Sequence, residues 1–134
     1  MPLPPVGSVV AVAVGGALGV GLRYAVVVRY AVGPGGFPWP TLAVNFSGAF
    51  ALGLVLTLFV ERWPSSRHRR ALVCIGLLGA YTTFSTVAVE LATLLVDGHV
   101  ATAAGYATVT LVAGLGAALL GIALARGRPT GSRP

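Results

Sequence analysis

The chain is 134 residues long, 56% hydrophobic and only 9% charged. That balance excludes an ordinary soluble domain, in which about a quarter of the residues carry charge. The net charge of +6 comes from nine arginines set mostly in one loop and the tail of an apolar chain, which suits anionic headgroups better than nucleic acid.

A hydrocarbon core of about 30 Å takes roughly 20 apolar residues of helix, and four runs are long enough. Span one, near 7–30, has no basic residue ahead of it, so a cleaved signal peptide is not expected. It is crowded with Gly15, Gly16, Gly19 and Gly21 and contains Arg23. An arginine there marks an aqueous vestibule, a pair with an acid, or a side chain snorkelling to the headgroups. The linker 33–40, rich in glycine and proline, cannot continue a helix, and Trp39 within it suits an interfacial anchor.

Span two, near 41–60, carries Asn45. Its amide has donors and an acceptor that helix backbone cannot satisfy, so it should face a partner or a wet cavity. Residues 61–70 form a basic loop with Trp63 as a second interfacial candidate. Span three, near 71–96, is interrupted at residues 79–86 by Gly-Ala-Tyr-Thr-Thr-Phe-Ser-Thr. So much polarity at membrane depth must face protein, water or an ion, which predicts a broken helix lining a site. Glu90 is the only acid inside the membrane, either functional or a satisfied group near the far interface.

A tight turn at Asp97-Gly98-His99 leads to span four, near 100–125, with Tyr106, Thr110 and the glycines 114, 116 and 121. The tail 126–134 reads as disordered. The isolated Thr57, Thr93 and Thr102 should do no more than bond back to their own helices. Spacings such as Gly15 to Gly19 and Ala117 to Gly121 permit close helix approach, within one subunit or in a tight oligomer.

Four spans put both termini and the second loop on one side, with seven arginines there against Arg29 opposite. Positive residues stay inside, so both termini are expected in the cytoplasm, in the cell's inner (plasma) membrane. Cys74 is alone and forms no intrachain disulfide; His68 and His99 lie in loops. With no nucleophile–base pair and no metal-ligating cluster, an enzyme is not expected.

The order and spacing of these pieces resemble the Fluc (CrcB) family of small fluoride channels. The motifs are Gly15-Gly16 through Gly19 to Arg23-Tyr24, Thr41 to Gly48 with Asn45, Gly79 with Thr82 to Thr86 followed by Glu90, and Tyr106. The resemblance implies an all-α membrane protein with the third helix broken mid-membrane and two antiparallel subunits. It implies fluoride as the permeant ion and a structural sodium ion, not transported, held by the backbone carbonyls of Gly79 and Thr82. Fluoride would pass Asn45, Phe84, Ser85, Thr86, Tyr106 and Thr110, with Arg23 and Glu90 shaping the vestibules. The family's second pore aromatic should stand three residues after Phe84, where this chain has Val87, while Phe46 and Phe50 read as packing.

Single-gene members of such a family need balanced positive charge to insert both ways, and this chain is strongly biased. The two departures together imply one half of a heterodimer, paired with an oppositely inserted paralogue, a homodimer being the alternative. A small multidrug exporter would need an acid in the first span, where this chain has Arg23. A non-conducting assembly subunit would leave Asn45 and the hydroxyl cluster without a purpose.

Overall fold

Charge-free apolar runs become helices wherever neither proline nor a turn glycine intervenes. The computed structural model describes residues 4–63 and 66–127, and it contains no strand among them. Helix α1 is Val6–Arg29, entered from Pro4 and Pro5. It ends before a turn in which Gly36 N–H bonds the Gly33 carbonyl and Gly35 takes a φ of 74°, the left-handed value that the third position of such a turn requires. Helix α2 is Trp39–Glu61, two residues longer at its start than the hydropathy suggests, because proline suits a first helical turn.

The third span comes in two pieces. Helix α3 covers residues 67–81, with a first turn Arg67–Arg70, a π-helical stretch Ala71–Leu78 and a last turn Gly79–Tyr81. Ser66 caps it by accepting a hydrogen bond from Arg69 N–H. Helix α4 is Ser85–Val96 and closes on Gly98, φ 81°, with Gly98 N–H on the Leu95 carbonyl and His99 N–H on that of Leu94. That paired ending is the usual left-handed stop of a helix and delivers the expected tight turn. Helix α5 is Val100–Gly127. It runs two residues past the expected end because Arg126 binds Glu61 at 2.7 Å while Arg62 donates to the Arg126 carbonyl at 2.8 Å. The rest of the expected tail, 128–134, lies outside the described residues.

All four spans are long and apolar enough to cross a membrane, so this is a multi-pass membrane protein. Two tight helix crossings hold it together, and small residues create both. A Cβ on Gly15 would strike the Leu72 carbonyl oxygen, and one on Gly19 that of Leu77, so α1 lies backbone to backbone on α3. Across the molecule, Gly53 meets Ala118 and Gly121 meets Phe50 in the same way, joining α2 to α5. The glycine stripes of spans one and four therefore serve packing inside one subunit at these positions. By contrast, Gly105, Gly114 and Gly116 meet nothing within 4 Å.

Gly19→Val is accordingly expected to destabilise the chain by ~3 kcal/mol, the upper range for forced overpacking. Gly21→Val, on the same helix with open space around it, should be nearly neutral. Thermal inactivation of the detergent-solubilised variants measures the difference.

Candidate functional site

The break between α3 and α4 is built by Asn45. Thr82 leaves the helix with ψ 151°, and the chain resumes helical form at Ser85. Between them Thr83 N–H donates to Asn45 Oδ1 at 2.7 Å, and Asn45 Nδ2 donates to the Thr83 carbonyl at 2.9 Å. One side-chain amide thus replaces the two backbone partners that Thr83 loses by leaving the helix. In an unbroken helix Thr83 N–H would bond the Gly79 carbonyl; diverted to Asn45, it leaves that carbonyl without its helical donor. One hydrogen of the Asn45 amide has no partner among the described residues.

Thr83 is itself a hub. Its Oγ1 accepts from Thr86 N–H at 3.1 Å and donates to Thr86 Oγ1 at 3.0 Å. With that hydrogen committed, the 3.2 Å contact with Ser85 has the serine as donor. Thr83 therefore caps α4 as an N-cap threonine caps the amide three residues on. The Ser85 hydrogen is consumed, while that of Thr86 is left over.

A second cluster surrounds Glu90. Its Oε1 accepts from Thr41 Oγ1 and its Oε2 from Tyr106 OH, both at 2.6 Å. Thr41 and Tyr106 are fully buried, and Phe37 from the linker packs edge-on against the Tyr106 ring at 5.4 Å. Glu90 also lines a half-open cavity of about 440 Å³ beneath the linker, together with Thr93 and Asp97.

Helical spacing joins the two clusters. Thr41 and Asn45 on α2, Thr86 and Glu90 on α4, and Tyr106 and Thr110 on α5 are each four residues apart and so share a face of their helix. Thr41 and Asn45 contact the α4 side from α2, and Tyr106 contacts it from α5. The result is a track of polar groups about one helical turn long. Thr110 Oγ1 is buried with no hydrogen-bond partner within 3.5 Å among the described residues, so its hydrogen, like that of Thr86 and one of Asn45, can meet an acceptor. Such a track presents donors to an anion and a carboxylate held in place by two hydroxyls.

Other residues singled out by sequence stand apart from this track. Phe84 projects from the break and is 84% exposed on the subunit. Val87 turns the other way, buried with Leu94, Ala103 and Tyr106. Arg23 is half-buried on α1 with no ion pair among the described residues, and Glu90 is not its partner. Gly79 is exposed, and a Cβ there would meet nothing closer than the Cys74 carbonyl at 3.6 Å. Thr57 and Thr93 bond back to the carbonyls of Gly53 and Val89. Two residues of the track escaped the sequence reading as site residues, Thr83 and Thr41. A threonine three residues before Thr86, at the start of a helix, was the available signal for the first. For Thr41 the four-residue spacing to Asn45 was the only hint.

Residues 10–122 match the family described as CrcB-like protein, Camphor Resistance (CrcB). The chain is 42% identical over 125 residues to "Fluoride-specific ion channel FluC 2" of Nocardia farcinica, covering 93% of this chain and 89% of that one. It is 46% identical over 120 residues to "Fluoride-specific ion channel FluC 3" of Streptomyces avermitilis, with 90% of this chain and 59% of the longer relative covered. With "Fluoride-specific ion channel FluC 1" of Mycolicibacterium paratuberculosis it shares 45% identity over 116 residues, 87% of this chain and 88% of the relative.

Proposed function

The chain belongs to the CrcB-like family, and from this premise we propose that it is a subunit of a channel that lets fluoride leave the cytoplasm passively, relieving fluoride toxicity. The observation that carries the reading is the track from Thr41 and Asn45 through Thr86 and Glu90 to Thr110. Fluoride is small, strongly hydrated and a strong acceptor, so a pore selective for it must replace water with donors at close range. The free hydrogens of Asn45, Thr86 and Thr110 are such donors. Phe84 adds a ring edge, which carries the positive end of the aromatic quadrupole.

The working assembly in this reading is a dimer of antiparallel subunits. A phenylalanine exposed beside a polar break has no cover within one chain, and a second subunit would supply it. A structural sodium ion fits the same place, held by the backbone carbonyls of Gly79 and Thr82. The Gly79 carbonyl lacks its helical donor, the Thr82 backbone is extended, and uncharged oxygens suit a hard cation. Such an ion would offset the electrostatic penalty of an anion at membrane depth. The seven-to-one arginine bias orients both termini toward the cytoplasm. That bias, with valine at position 87, favours pairing with an oppositely inserted paralogue over a homodimer.

The test is fluoride efflux from liposomes holding the purified chain, with chloride as the control ion. Little efflux is expected from the chain alone and rapid, fluoride-selective efflux once an oppositely biased paralogue is added. Rapid efflux from the chain alone would keep the channel and defeat the obligate pairing. Silence in both arms would overturn the channel.

A further inference from the structure

The chain has three acidic residues, and none is paired with Arg67 or Arg70 among the described residues. Glu61 is held by Arg126, Glu90 takes the hydroxyls of Thr41 and Tyr106, and Asp97 stands at the opposite end of the third span. Arg67 and Arg70, one turn apart on α3, have no hydrogen-bonded or ion-paired partner among the described residues. Both line a groove of about 750 Å³ whose remaining walls come from the start of α1 and from α3. Apart from these two guanidinium groups the lining is nearly all apolar, with Val9, Val12, Ala13 and Ile75 along it. One further polar group is present, the hydroxyl of Ser8, whose residue is 7% exposed and whose oxygen finds no partner among the described residues.

On α1 the lining from Ser8 to Ala13 covers five helical steps, ~7.5 Å along the span. Cationic at one end and apolar along its length, the groove opens between two helices that are long and apolar enough to span a membrane. We propose that it binds an anionic phospholipid, with the phosphate between Arg67 and Arg70 and an acyl chain laid against Val9, Val12, Ala13 and Ile75. Guanidinium groups match phosphate oxygens in pairs, which makes arginine the apt residue for such a headgroup. The lipid would supply the negative charge that the protein withholds, and would bridge α1 to α3 at the end of the crossing made by Gly15 and Gly19.

Native mass spectrometry of the full-length protein in detergent tests this, with phosphatidylglycerol, phosphatidylcholine of the same acyl chains, or soluble glycerol phosphate added. Phosphatidylglycerol should be retained about thirtyfold better than phosphatidylcholine, the factor expected of two arginines near a headgroup. The double variant R67Q/R70Q should erase that preference. Ala13→Trp, which fills the groove and leaves the charges alone, should also abolish retention. Equal retention of the two lipids by the unaltered protein would overturn the proposal, and so would full retention by Ala13→Trp. Displacement of the lipid by glycerol phosphate alone would overturn it as well, by showing a site for free phosphate.

Discussion

Asn45→Asp is expected to lower fluoride flux about a hundredfold or more, a factor that corresponds to ~3 kcal/mol of added barrier. The reason lies in how fully the amide is used. Asn45 Oδ1 accepts from Thr83 N–H, and a carboxylate could still do that. Nδ2 donates to the Thr83 carbonyl at 2.9 Å, where a carboxylate oxygen would place one acceptor against another. The remaining amide hydrogen, the group left for the anion, would be replaced by negative charge, and fluoride would be repelled. Asn45→Leu separates the two roles. It keeps the branched shape of the side chain and adds no charge, but leaves the N–H and C=O of Thr83 without partners at membrane depth, at ~1–3 kcal/mol each. Asn45→Leu should therefore lose thermal stability in detergent as well as flux. Liposome efflux in the conducting assembly, run beside a thermal inactivation series, reads both. Unchanged flux in Asn45→Asp would remove Asn45 from the pathway.

The break itself was legible because it violates the composition around it. Three threonines, a serine and a glycine inside an apolar run have few physical explanations, and Asn45 stood out for the same reason. Glycines 15, 19 and 121 announced close helix contact, but spacing alone does not say which helix is met. The structure assigns them to crossings inside the subunit. What the sequence could not convey is how each helix is rotated about its axis. That Glu90 turns to Thr41 and Tyr106 and away from Arg23 is a fact of rotation, fixed by packing between distant segments. The π-helical winding of Ala71–Leu78 had no local signal either, since its residues are ordinary helix-spanning apolar ones. By its residue type alone Asn45 is a donor offered to an ion, yet its Oδ1 and one hydrogen of its Nδ2 support the chain at Thr83. A scaffold role and a binding role in one amide are indistinguishable until the partner is seen.

Position 87 shows the same gap and yields the second large effect. Counting three residues on from Phe84 suggests that the two side chains share a face, as they would in mid-helix. Phe84 is the N-cap of α4, already helical in backbone and accepting from Ala88 N–H at 2.9 Å, but no turn of helix precedes it, so its side chain and that of Val87 meet different surroundings. Phe84 is 84% exposed while Val87 is buried against Tyr106 and Leu94. Val87→Phe is therefore not expected to restore a pore aromatic from within this subunit. It should overpack the core beside Tyr106 and lower stability by ~1–3 kcal/mol. Phe84→Ile should do the reverse. It removes no packing inside the subunit, so the folded chain should be nearly as stable as before. It replaces a ring edge by an aliphatic group with no quadrupole, and flux should fall by about fivefold if that edge faces the anion, one aromatic contact being worth ~1 kcal/mol. The discriminating result is the pattern across the two variants, flux lost with stability kept at position 84 and stability lost at position 87. Normal fluoride conduction by Phe84→Ile would assign that ring to subunit packing and leave the polar track alone as the selective element.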